Sequence, residues 1–360
     1  MHKYLPCFLL LLLLVASPAV GQVNWAVRAS TSTEHIRAVA YGAGAFVAVD
    51  GRPLRSTDGA TWTRPQWTGS GEMLHVFYVG NRFLALGDNY YWVSNQDGTA
   101  ATRFFVNYLQ PGGETDAAVV NGVVLVTGTY LSTGSALLRM DAGSNVLAEV
   151  NSFPSTDTIY WVVSTGTEFL ASAGGAIYAS SDGLGWVLRH PGHVDEPLFH
   201  GGFLFASGKV STDGGATWPL NTAQNAPLLY GGGYFLRLSF GQPLTSVDGI
   251  TWTERESGTT DDLSSVAFGN NTFVAVGYGG RITTSSAVTP SPALAVPALT
   301  VVPSVTIKWA SQSGRWYEVE TSPNMTTWTK TEDLIPGSGQ EMTRSFDQTG
   351  AQKFFRVAAR

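Results

Sequence analysis

One phrase recurs along this chain. An apolar run, a tight turn and a second apolar run lead to a third run that ends in Ser-x-Asp-Gly-x-x-Trp. The phrase is clearest at Ser56–Trp62 and Ser246–Trp252, recurs at Ser180–Trp186, and carries one extra residue at Ser211–Trp218. A unit repeated at this spacing cannot bury its apolar faces alone, so its copies must pack against one another. That requirement constrains the fold more than any other feature of the sequence.

Aligned on their first apolar strand, the copies begin near Ile36, Leu74, Ala117, Ile159, Pro197, Leu228 and Leu263. This spacing fits four short strands per copy. In the first copy the strands read Ile36–Tyr41, Phe46–Val49, Leu54–Ser56 and Trp62–Arg64. Gly42-Ala43-Gly44 and Asp58-Gly59 supply the positive φ angles that hairpins need. The second copy keeps Asn95-Gln96-Asp97-Gly98 with no Trp after it, and the third retains only Asp141-Ala142-Gly143. The last copy stops after Ile282–Ser285, short of its Trp strand. A matching strand stands at the other end: Trp25-Ala26-Val27-Arg28 precedes the first copy as Trp252–Arg255 precedes the seventh. The expected fold is therefore all-β, a seven-bladed β-propeller whose N-terminal strand completes the last blade. The rival, a linear β-solenoid, has no use for that early strand.

Composition agrees with short buried strands and tight turns: 44% hydrophobic and 13% charged residues, with 41 Gly and 11 Trp in 360. The net charge of −6 and the lack of a Lys/Arg cluster argue against a nucleic-acid surface. His2-Lys3, the apolar run Phe8–Ala16 and the small residues Ala19-Val20-Gly21 read as a secretory signal peptide over 1–21. The run is too short for a retained membrane span. The one cysteine, Cys7, lies inside that leader, so the exported chain is expected to hold together without disulfides. The propeller is expected over 22–288 and a Pro-rich linker over 289–297. A separate β-module with alternating strands, including Val305–Trp309 and Trp316–Glu320, is expected over 298–360.

The Ser-x-Asp-Gly-x-x-Trp turn resembles the Asp-box (BNR-type repeat) of sialidase-type propellers, sortilin-type receptors, glucan-degrading enzymes and the photosystem II assembly-factor family. The C-terminal pieces Gly314-Arg315-x-Tyr317-x-Val319-Glu320, Trp328 and Phe354–Val357 resemble a small fibronectin type III or immunoglobulin-like bacterial module. The resemblance implies structural boxes at Asp58/Trp62, Asp182/Trp186, Asp213/Trp218 and Asp248/Trp252. Physical reading agrees, because such an Asp can accept backbone N–H bonds within its own turn. In a propeller these boxes share one face. The opposite face gathers the other loops, with His35, Asp50, Arg52, Asp88, Tyr90, Asp262, Tyr278 and Arg281 as candidate binding residues. Arg37 and His75 are placed on innermost strands. Trp309, Trp316 and Trp328 are expected in the core of the module, with a sugar-stacking face as the alternative.

No phosphate-binding loop, His-Glu-x-x-His or nucleophile elbow is present in the sequence. His190-x-x-His193-x-Asp195 has metal-ligand residue types but no rigid element to hold them, so no metal or cofactor is expected. A glycosidase needs two carboxyl groups facing across a cleft, and a sialidase also uses an arginine cluster and an opening Arg-Ile-Pro. Arg37-Ala38-Val39 is not that motif. The sequence therefore points to an exported, monomeric recognition or scaffolding protein for a protein or glycan. A glycoside hydrolase using rim carboxylates and a cell-surface structural protein are the alternatives.

Overall fold

The computed structural model describes residues 23–106, 115–130, 134–155, 157–219, 227–249, 251–288, 304–323, 326–331, 335–347 and 354–359. The expected leader over 1–21 and linker over 289–297 lie outside them. The chain divides into two compact units, Met1–Pro292 and Ala293–Arg360.

Among the described residues, the first unit holds seven β-sheets, each stepping outward from an innermost strand. Those innermost strands are Ala38–Gly42, Met73–Val79, Ala117–Val120, Ile159–Ser164, Leu198–His200, Leu229–Gly231 and Leu263–Gly269. Every neighbouring pair within a sheet is antiparallel except Gln66–Trp67, which runs parallel to Ala100–Phe105 at the edge of the second sheet. The second strands, such as Ala45–Val49 and Phe169–Ala173, are buried along their whole length. That explains why AFVAV reads as an unbroken apolar run. A strand covered on both faces has no polar side to show.

Apolar cores lie between successive sheets. Phe46, Trp62, Val274 and Ile282 join the first to the last; Val47, Phe83 and Trp92 join the first to the second. Phe205 meets Phe235 between the fifth and sixth with ring centres 5.0 Å apart. The innermost strand of the last sheet lies beside that of the first, so the series closes on itself. Aromatic-Gly pairs make this approach possible. A Cβ added at Gly269 would stand 2.1 Å from the ring of Tyr41, and one at Gly42 would stand 2.1 Å from the ring of Tyr78. An aromatic from one sheet thus lies flat on the bare backbone of the sheet before it.

The seam is made by Trp25–Arg28, which pairs with Ile282–Ser285 in the register Trp25↔Ser285 to Arg28↔Ile282. Arg28 Nε donates to Thr284 Oγ1 at 2.7 Å, and Trp25 stacks 6.3 Å from Phe273. A linear stack is excluded by this pairing. One expected element is reduced: the outer strand at Trp62–Arg64 forms only the single bridge Arg55↔Thr63.

In the second unit, Trp316–Ser322 is the centre of one sheet, flanked by Thr329–Lys330, Ile335–Pro336 and Phe354–Ala359. Ser304–Ala310 pairs with Glu341–Asp347 in a second sheet. Tyr317, Val319 and Ile335 form the core with Trp309 and Val357 packed against them. Trp328 instead lies under the Arg356 guanidinium, 4.2 Å away, and Trp316 is 48% exposed. The three tryptophans therefore do not form one flat face.

Candidate functional site

The antiparallel hairpins divide the loops of the first unit between two faces. Connections from first to second and third to fourth strands lie on one face, and include every Asp-Gly turn. In the first sheet, Asp58 Oδ1 accepts from the amides of Ala60 at 2.8 Å and Thr61 at 2.7 Å, and from the Ser56 hydroxyl at 2.9 Å. The Trp62 indole N–H then donates to Gly59 O at 2.9 Å. Asp182, Asp213 and Asp248 repeat the bonding to the Ser hydroxyl and a following amide. Trp186 and Trp218 repeat the indole bond. The Trp252 indole nitrogen has no hydrogen-bond partner among the described residues. The Thr61 amide above all holds the Asp58 carboxyl well below its ordinary range, at about 2. The Thr217 hydroxyl and amide hold Asp213 at about 2. These carboxylates are committed to their own turns.

The second sheet lacks a tryptophan after its own Asp-Gly turn, and the structure supplies one from elsewhere. The Trp67 indole, from the connection after the first sheet, donates to Gly98 O at 3.0 Å. It packs in the same gap between sheets. The third sheet is served by Tyr91, whose hydroxyl donates to Asn145 O at 3.0 Å and accepts from the Leu147 amide at 3.1 Å.

The opposite face carries the candidate binding residues, which fall into separate groups. Around the seam, His35 stacks on Tyr278 with ring centres 3.9 Å apart and contacts Ser264 Oγ at 3.1 Å. Partial burial, and then the Arg37 charge, keep the His35 imidazole below its ordinary pKa. Arg281 grips Asp261 at 2.6 Å, and the Asp262 carbonyl accepts from the Tyr278 amide at 3.0 Å. A second group lies on the second sheet: Tyr90 lies under Arg103, 4.3 Å away, and edge-on to Phe105, with Asp88 exposed in the adjoining turn. Arg37 pairs with exposed Glu72 at 3.1 Å. His75 stacks parallel to Phe77 on its innermost strand. Asp50 is different in kind. Its side chain is 1% exposed and is clamped by Arg64 at 2.6 and 3.1 Å. Burial favours its neutral form, but the Arg64 and Ser32 hydrogen bonds and the Arg64 charge prevail and lower its pKa. Arg52 is exposed beside it, its amide bonded to Asp50.

No family model matches this chain, and no curated protein matches it. Solved structures do. YCF48 from Cyanidioschyzon merolae superimposes with a TM-score of 0.52 at 13% identity, over 72% of this chain and 98% of that one. Selenomethionine-substituted virginiamycin B lyase from Staphylococcus aureus gives 0.56 at 11%, over 74% and 99%. The Pan2 WD40 domain from Neurospora crassa gives 0.50 at 9%, over 74% and 98%. The fold is a β-propeller. Its neighbours include a lyase and a WD40 domain, so the propeller sets the scaffold and leaves the chemistry to the loops.

Two concavities open among those loops. A cavity of about 690 Å³ runs along the propeller's channel, lined by Phe77, Val163 and Phe199, with Tyr160, His193 and Asp195 also on its wall. His75 and Arg37 are not on its wall. His193 and Asp195 bond to each other at 3.3 Å, while His190 Nδ1 contacts Ala216 O. These three are not gathered at one point, and the described residues hold no cluster of three or more His, Cys, Asp or Glu with metal-binding geometry. The other concavity, about 530 Å³, is a shallow groove between the sixth and seventh sheets, walled by Gln242, Ser257, Thr259, Asp261 and Arg281. Sequence reasoning missed Phe240, which stands 97% exposed at the adjoining hairpin tip. A single aromatic in a turn gives no periodic signal in the sequence.

Proposed function

We propose that this chain is an exported, seven-bladed Asp-box propeller with a C-terminal β-sandwich. It acts as a non-catalytic recognition or scaffolding protein, binding a protein or glycan through the loop face opposite the Asp-boxes. One observation carries this reading. The box carboxylates are consumed by their own turns, whereas the other face presents a groove walled by loop residues and the exposed rings of Tyr278 and Phe240. Such loops, held by a rigid scaffold, are where binding groups concentrate.

Glycoside hydrolysis receives less support. A general acid needs a raised carboxyl pKa, and the displaced carboxyls Asp50, Asp58, Asp97, Asp182, Asp213 and Asp261 all move downward. Asp50 and Asp261 are held by arginines. Export and cleavage near Gln22 rest on the leader pattern of the sequence; amino-terminal sequencing of the secreted product checks them.

The function is tested with the full mature chain on immobilised glycans and on extracellular protein extracts. Capture abolished by loop-face substitutions such as Tyr278→Ala and Tyr160→Ala, at an unchanged melting temperature, supports the reading. Capture that survives them and is lost on box-face substitutions such as Arg82→Ala overturns it. So does turnover of fluorogenic glycosides that disappears with Asp262→Asn.

A further inference from the structure

The groove between the sixth and seventh blades has the anatomy of a sugar site. Two exposed rings stand on the turns that supply Gln242 and Arg281 to its wall. Phe240 occupies the tip of the Tyr234–Ser239/Gln242–Ser246 hairpin at φ 48°. That is left-handed backbone, disfavoured for a bulky side chain. Neither contact nor burial recommends a phenylalanine there, since it is 97% exposed. Tyr278, 55% exposed, occupies the equivalent turn of the next blade and is stiffened by its stack on His35.

Both turns grip the same residue. Asp262 packs so closely on the first turn that a Cβ at Gly241 would lie 2.6 Å from its Cα, and its carbonyl takes the Tyr278 amide. The backbones of the two turns thus share one anchor. Beyond it the floor is polar and internally braced. Ser257 donates to Gln242 Oε1 at 2.7 Å, Thr259 Oγ1 donates to Asp261 at 3.1 Å, and Asp261 accepts from Arg281. Rings offering apolar faces beside pre-positioned amide, hydroxyl and guanidinium groups match a pyranose, which has apolar C–H faces and a hydroxyl rim. The lining of this groove shares no residue with the channel cavity.

We propose that this off-axis groove binds a neutral oligosaccharide, with Phe240 and Tyr278 as stacking platforms and Gln242, Asp261 and Arg281 ordering the hydroxyls. A sugar acid is disfavoured, because Arg281 is already neutralised by Asp261 and Glu256 adds negative charge beside it. The inference rests on the loop-face reading above and gives it a ligand class.

The test is calorimetric titration of the mature full-length chain with neutral cello-, malto- and xylo-oligosaccharides, and with oligogalacturonate as the acidic counterpart. A neutral oligosaccharide binds, and Phe240→Ala and Tyr278→Ala each weaken it about tenfold or more. Phe240→Gly adds a readout that a structural role does not predict: the melting temperature rises, because strain is relieved, while affinity falls. Equal affinity in both alanine variants overturns the proposal, as does binding of the acidic sugar alone. A ligand lost with Tyr160→Ala but kept by both groove variants also overturns it, yet leaves the loop-face reading standing.

Discussion

The first and second blades meet one requirement by different routes. In the first, Trp62 follows its own Asp-Gly turn, is 4% exposed, and bonds back to Gly59 O. In the second, the turn at Asp97-Gly98 is followed by Thr99 and Ala100, and Trp67 arrives from the preceding connection to bond Gly98 O. In both blades an indole wedges between neighbouring sheets with its N–H on the turn glycine's carbonyl. The wedge need not come from the motif itself. The degenerate repeat is a rerouted one.

The sharpest test removes each wedge. Trp62→Ala empties a buried site, and the expected cost of about 3–5 kcal/mol lowers the Tm by roughly 6 °C or more. Trp67→Ala should give about half that, since its ring is only partly buried. A Trp67→Ala melting curve equal to wild type, beside a depressed Trp62→Ala curve, would break the comparison. Adding Ala101→Trp, at the position equivalent to Trp62, should recover part of the loss. Trp252→Ala should cost less than Trp62→Ala, a few degrees at most, because that ring is half-buried and its N–H is unbonded.

Proton linkage sharpens the same comparison from the Asp side. Asp58 has a folded pKa of about 2 against an ordinary 3.8. Its ionised form therefore stabilises the fold fully above pH 3.8, and the contribution disappears as pH falls through about 2. The Tm gap between wild type and Asp58→Asn should be open at pH 6 and should close between pH 4 and 2. A gap independent of pH would remove the carboxylate from the argument. The smallest effect concerns the latch between these two blades, where Arg55 Nε donates to Asp97 O at 2.7 Å. Arg55→Ala should cost about 1 kcal/mol in chemical denaturation, and equal stability would make the latch incidental.

Much of the fold was legible because it is periodic. The inner strands at Ala117, Ile159 and Leu263 begin at the residues expected from alignment, and Trp25–Arg28 pairs where the truncated last copy needs a strand. What escaped depends on partners distant in sequence and absent from the motif. Nothing in the Trp67 neighbourhood announces that it serves Gly98. Asp50, read as a rim candidate, is sealed by Arg64 from beyond the next turn. The candidate residues were also treated as one rim, whereas the structure separates the His35–Tyr278 group from the Tyr90–Arg103 group. Phe240 was overlooked because a lone aromatic in a turn carries no pattern. Its significance appears only with its exposure and its backbone angle.

The pairing of Trp25–Arg28 with Ile282–Ser285 has a consequence for assembly. Trp25–Arg28, made before the repeats, finds its neighbours only when the final repeat has been made, so the circle stays open until Ile282–Ser285 has emerged. Joining segments so far apart in sequence carries the largest chain-entropy cost in the unit. Ring closure should be the last and slowest event of maturation, and until then the apolar sides of the first and last sheets stand open to chaperones and proteases.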